Sequence, residues 1–154
     1  MINIDRILHP TDFSQNSAHA LNYAYTMAQT FDAELHLVYV ISEALVSVSP
    51  PMSGFLPEGY YQDVMESAES NLSQVLENDE GLKNGIVRKV IEGAAFVEII
   101  RYAREQDINM IVMGTHGYSG LMHLLMGSVA ENVVRKAPCP VLTVHPEDYR
   151  FEMP

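Results

Sequence analysis

The chain has 154 residues, 47% of them hydrophobic, a size at which one domain buries about two-thirds of its unfolded surface. Twenty acidic side chains against nine basic ones give a formal charge of −11, which opposes nonspecific attraction to nucleic acid or to an anionic membrane surface. Cys139 is the only cysteine, which excludes an intrachain disulfide and a cysteine metal cluster.

The opening MINIDRILHPTDFS has neither a basic leader nor a long apolar run, and no stretch approaches the roughly 18 consecutive apolar residues of a membrane span. The expectation is a cytoplasmic protein with no membrane segment. Ile4 to His9 reads as a short buried strand that Pro10 ends, after which Thr11 and Asp12 make a turn and Ser14 is placed to cap a helix. Leu21, Ala24, Tyr25 and Ala28 recur on one stripe of that helix, and Glu34 to Val40 is a second strand. From Ser42 to Gly59 the sequence holds Pro50, Pro51 and Pro57 among serines and glycines, and reads as a loop.

Glu58 to Glu80 carries acids and no base, with Val64, Ala68, Leu72, Val75 and Leu76 at helical spacing, which predicts an amphipathic helix with an acidic outer face. Gly85 to Ile91 is a third strand, Gly93 a turn, and Phe96, Ile99, Ile100 and Ala103 mark the next helix. Ile108 to Met113 is the fourth strand. A last helix starts near Ser128 and closes at Lys136, and Val141 to Val144 makes a fifth strand after the Pro-Cys-Pro break. Residues 1–146 are expected to form one domain, with 147–154 as a polar tail.

Strands alternating with helices predict an α/β fold, a single doubly wound parallel sheet with helices on both faces, because parallel neighbours need crossover connections. In such a sheet ligands bind beyond the carboxyl ends of the strands, where connections leave toward opposite faces. The loops after the first and fourth strands, Pro10 to Ser14 and Gly114 to Gly117, qualify. Gly114 and Gly117 allow the backbone to come close to an anion and permit positive φ, and Gly127-Ser128 opens a helix whose amides and dipole favour phosphate. Neither G-x-x-x-x-G-K-[ST] nor G-x-G-x-x-G occurs, which sets aside the P-loop and the dinucleotide fingerprint.

The spacing Gly114-x-x-Gly117, nine residues, then Gly127-Ser128 resembles the signature of the ATP-binding branch of the universal stress protein family. The runs RILHPTDFS from Arg6, VIEG from Val90 and GSVAENVVRKAPCPVLTVH from Gly127 are similar to family segments in order and spacing. The resemblance implies a Rossmann-like sheet of order 3-2-1-4-5 and a homodimer joined through Val141 to Val144. It also implies that ATP, or ADP or AMP, is held by Gly114, Gly117, Gly127 and Ser128 at phosphates and ribose. Asp12 would contact the adenosine part, Val40 would present backbone to adenine, Met113 and Pro10 would line the nucleoside, and Val129 would give one more amide. Many relatives carry a basic residue where Tyr118 stands here, so phosphate neutralisation would rest on amides, on Ser128 and on a bound divalent ion such as Mg²⁺.

By position alone Asp12 is either a ribose ligand or a turn residue, and His116 either touches phosphate or is an exposed loop residue. His9, His36 and His123 lack zinc spacing and read as structural or surface residues, and no G-x-S-x-G elbow marks a nucleophile. The leading expectation is a nucleotide-sensing stress-response dimer with no catalytic residues and no protein-held metal. A slow ATPase or autophosphorylating enzyme and a nucleotide-independent interaction module are the alternatives.

Overall fold

The computed structural model describes residues 2–42, 59–117 and 126–147. Five strands and four helices alternate in them: β1 (Arg6–Thr11), α1 (Gln15–Phe31), β2 (Glu34–Ile41), α2 (Tyr60–Gln74), β3 (Ile86–Glu92), α3 (Ala95–Glu105), β4 (Met110–Gly114), α4 (Ser128–Lys136) and β5 (Val141–Val144). The strands form one parallel sheet in the expected order, β3-β2-β1-β4-β5. Most of the loop from Ser42 to Gly59, Tyr118, and the tail beyond Glu147 lie outside the described residues. Among the described residues no helix is long and apolar enough to cross a membrane.

Successive residues of a strand point to opposite faces, and the core divides accordingly. Ile7, Leu35, Leu37 and Val112 pack with Ala20, Ala24 and Ala28 of α1 and Leu72 of α2. Leu8, Val38, Ile111 and Met113 pack on the other face with Ile99, Tyr102 and Ala103 of α3 and Ala130 and Val133 of α4. Both faces of the sheet are therefore covered, and the direction of winding reverses between β1 and β4.

Local chemistry sets the element ends. Ser14 caps α1 as its position suggests: its backbone is extended and its Oγ accepts the Ser17 N–H at 3.1 Å. Asp12 Oδ1 accepts the Ser14 N–H at 3.0 Å, which fixes the turn before the cap. The acidic helix is shorter than its periodicity, ending at Gln74 instead of reaching Glu80. Tertiary bonds replace its last turns. Arg88 Nη2 on β3 donates to the carbonyls of Val75 and Leu76 at 2.7 and 2.9 Å, and Asp79 accepts from the Tyr25 hydroxyl and from the amides of Gly81 and Leu82.

Candidate functional site

The site begins where two central strands part. Arg6 O accepts from the Asn109 N–H and Asp5 O from the Glu34 N–H, so even-numbered residues of β1 turn their peptide groups toward β4 and odd-numbered ones toward β2. β1 pairs with β4 at Ile7–Met110 and Leu8–Ile111 only, while its pairing with β2 runs on to Thr11. Pro10 therefore does not end the strand, contrary to the sequence expectation. Its missing N–H falls on the side where the ladder has already stopped.

The same parting explains His9. An unbroken ladder would give the Val112 carbonyl the amide hydrogen of residue 10, which proline lacks, and His9 Nδ1 donates to that carbonyl instead, at 2.9 Å. His9 is fully buried, and its pKa is lowered to about 4 by desolvation, against smaller raising effects of the Val112 carbonyl and the Asp12 charge. The ring is thus neutral with its hydrogen on Nδ1. Its Nε2 accepts from Ser17 Oγ at 3.3 Å, and Ser17 Oγ also lies 3.0 Å from Thr11 Oγ1.

Gly114 and Gly117 do not use the left-handed backbone that glycine permits, and neither does Gly127; positive φ among the described glycines belongs to Gly59, Gly85 and Gly93. Space is the reason for these glycines. A Cβ on Gly117 would stand 2.6 Å from Asp12 Oδ2, one on Gly114 would stand 3.3 Å from the carbonyl oxygens of Asn16 and His116, and one on Gly127 would stand 3.2 Å from that of Thr115. The Gly127 N–H donates to the Thr115 carbonyl at 2.7 Å, which joins the start of α4 to the end of β4. Gly127 is an extended N-cap with no side-chain cap bond, so the amides of Ser128, Val129 and Ala130 open the helix without intrahelical acceptors.

These elements enclose a cleft of about 350 Å³ among the described residues. Pro10, Asp12, Val40, Met113, Gly114, Gly117, Gly127, Ser128 and Val129, the residues expected at the site, all line it. Thr115, inside the expected loop, lines it as well, and Val38, Ala95, Ile99 and Ala130 line it without having been expected. Val38 and Ala130 carried a usable signal, being the same-face neighbour of Val40 and the third residue of a helix that begins at Ser128. Ala95 and Ile99 carried none, because α3 reaches the cleft only by crossing the sheet. One part of the cleft is thus apolar, with Val38, Val40, Ile99 and Met113, and another is rich in amides and glycine.

Among the described lining residues Asp12 and His116 are the titratable ones, and none is a lysine or arginine. No three His, Cys, Asp or Glu side chains come together as a metal-binding group among the described residues. His36 is also buried, its Nδ1 2.9 Å from the Tyr102 hydroxyl and its Nε2 2.8 Å from Glu34 Oε1, and burial lowers its pKa.

The whole fold has known counterparts. Residues 3–145 match the Universal stress protein family. The chain belongs to that family. Universal stress protein MJ0531 of Methanocaldococcus jannaschii is 35% identical over 143 residues, which span 90% of this chain and 81% of that protein. The solved structure of MJ0577, from the same organism, shares 28% identity and superposes with a TM-score of 0.79 over 94% of this chain and 98% of that one. Two more remote members show the same fold. A universal stress protein in complex with cAMP shares 22% identity at a TM-score of 0.60, over 93% of this chain and 98% of that one. One from Archaeoglobus fulgidus in complex with dAMP shares 21% at 0.61, again over 93% and 98%.

Proposed function

We propose that the cleft binds an adenine nucleotide, ATP being the expected form, and that the protein acts as a nucleotide-sensing homodimer in the stress response. The observation that carries this reading is the 2.7 Å bond from the Gly127 N–H to the Thr115 carbonyl, which brings both glycine pairs of the motif to one cleft. Phosphate oxygens would meet the amides of Ser128, Val129 and Ala130 and the positive end of α4, with Gly114, Gly117 and Gly127 leaving the room that a Cβ would fill. The base would lie against Val38, Val40, Met113 and Ile99, with Pro10 beside the nucleoside and Asp12 as acceptor for a ribose hydroxyl.

The bound cAMP and dAMP of the two remote relatives support an adenine ligand for this cleft. The described lining of the cleft brings helix amides and the Ser128 hydroxyl to the phosphates, which fits a Mg²⁺ held mainly by phosphate oxygens and water, since octahedral Mg²⁺ keeps several waters beside substrate phosphates. That ion would offset phosphate charge beside a described lining that holds no lysine or arginine. Isothermal titration with ATP, ADP and AMP, each with and without Mg²⁺, tests the proposal. Saturable heat is the expected result, and no heat from any of the three at millimolar ligand removes it.

A further inference from the structure

Thr115 follows β4, is fully buried, and holds three parts of the protein at once. Its N–H donates to the Val144 carbonyl at 2.9 Å and its carbonyl accepts the Gly127 N–H, so its backbone ties the end of β5 to the start of α4. Its Oγ1 lies 2.9 Å from His116 Nδ1 and 3.4 Å from His145 Nδ1. His116 is in the wall of the cleft. His145 follows β5, the last strand in the sheet order, where it lines a second cavity of about 450 Å³ with His19, Tyr23 and Glu147. The hydroxyl thus stands between an imidazole on the ligand side and one on the edge side.

A hydroxyl has one hydrogen to give, and each Nδ1 of a neutral imidazole is either a donor or an acceptor. A buried Oγ1 whose own hydrogen went unused would forfeit a hydrogen bond in a place where water cannot replace it. Two arrangements satisfy both Oγ1 bonds. Either Oγ1–H donates to His116 Nδ1 while His145 Nδ1–H donates to Oγ1, or the directions are reversed. In both, the two rings hold opposite tautomers, so whatever fixes the hydrogen on one ring sets it on the other.

We propose that Thr115 is a positioning residue that couples the tautomer of His116 in the cleft to that of His145 at the β5 edge. An anion bound beside His116 then determines which nitrogen of His145 donates at the edge. A contact made at His145 alters ligand affinity by the same factor, as linkage requires. The ligand consequence rests on the nucleotide reading above, whereas the coupling between the rings does not.

Nitrogen-15 NMR of the imidazole rings reads tautomers directly, and a double-mutant cycle in ligand-free protein isolates the coupling. His116→Ala is expected to shift the His145 ring nitrogens in the parent protein and in Thr115→Ser, which keeps the hydroxyl. In Thr115→Val, which removes it, the His145 nitrogens are expected to stay where they are; Thr115→Ala serves if the valine variant does not fold. Equal shifts with and without the hydroxyl, or no shift in any background, overturn the coupling. In a second arm His145→Ala changes the Kd for ATP by about fivefold in the parent and leaves it unchanged in the Thr115→Val background. ATP that binds without any such change overturns the transmission to the cleft. ATP that gives no heat overturns the nucleotide reading alone, and the ligand-free cycle still decides the coupling.

Discussion

The Val112 carbonyl is held by the ring of His9, Nδ1 to O at 2.9 Å, at the level where β4 has lost its β1 partner. The bond requires a neutral imidazole with its hydrogen on Nδ1, or a charged one that burial disfavours. The folded pKa of about 4 lies below the unfolded value of 6.5, so the unfolded chain binds the proton more readily between those values. Stability from this group is complete above pH 6.5 and is lost as pH falls toward 4, by about 3 kcal/mol in all and about 2 kcal/mol by pH 5. Urea unfolding at pH 7.5 and pH 5 should therefore show the parent losing about 2 kcal/mol more than His9→Leu. Parallel losses in the two proteins would mean that the fold does not hold this ring neutral. His36 is present in both and drops out of the difference.

Gly117 makes the shortest approach of the motif's glycines: a Cβ there would stand 2.6 Å from Asp12 Oδ2 while the other oxygen of that carboxylate is engaged by the Ser14 N–H. Gly117→Ala is expected to displace the Asp12 carboxylate into the cleft and weaken ATP binding about tenfold, roughly 1.4 kcal/mol, with the unfolding midpoint little changed. Titration calorimetry beside a thermal melt separates the two effects. Unchanged affinity would remove Asp12 and Gly117 from the proposed ligand contacts.

Ser14→Ala removes the hydroxyl that accepts the Ser17 N–H at the start of α1 and leaves the Asp12 bond to the backbone of residue 14 in place. A loss of about 1 kcal/mol of stability is expected, with ATP affinity kept. A variant as stable as the parent in urea would show that solvent or another group caps the helix equally well.

At the β5 edge the Pro140 and Val144 carbonyls accept from Ile111 and Thr115 of the β4 side, so the alternate residues Val141 and Thr143 turn their peptide groups outward. Thr143→Pro deletes an outward donor while sparing every bond to β4. If two copies pair through this strand, sedimentation should show a dimer for the parent and a monomer for Thr143→Pro, with ATP binding retained. A variant that remains dimeric would place the contact elsewhere.

Much of this molecule follows from short-range pattern. Buried runs such as Leu35 to Val38, the helical stripes of α1 and α3, and the Ser14 cap depend on residues within a turn or a strand of one another, and these determine the element order and hence a parallel sheet. The glycine spacing from Gly114 to Ser128 likewise pointed to the end of β4 and the start of α4, and both line the cleft. Pattern failed where a distant partner decided. The acidic helix stops early because Arg88, on a strand packed against its end, takes the Val75 and Leu76 carbonyls.

By itself, then, the sequence determined the class of fold, the family and the stretch of chain that comes to line the cleft, since each rests on local spacing. Tertiary structure alone decided why that stretch is a cleft. β1 and β4 part beyond Leu8 and Ile111, His9 takes the carbonyl that Pro10 has no N–H to meet, and α3 brings Ile99 across the sheet to the opening. The glycines, too, are needed for nearness to Asp12, Asn16 and Thr115 and not for unusual backbone angles. Contacts of that kind join residues up to about a hundred positions apart, and no periodicity in the chain encodes which of them meet.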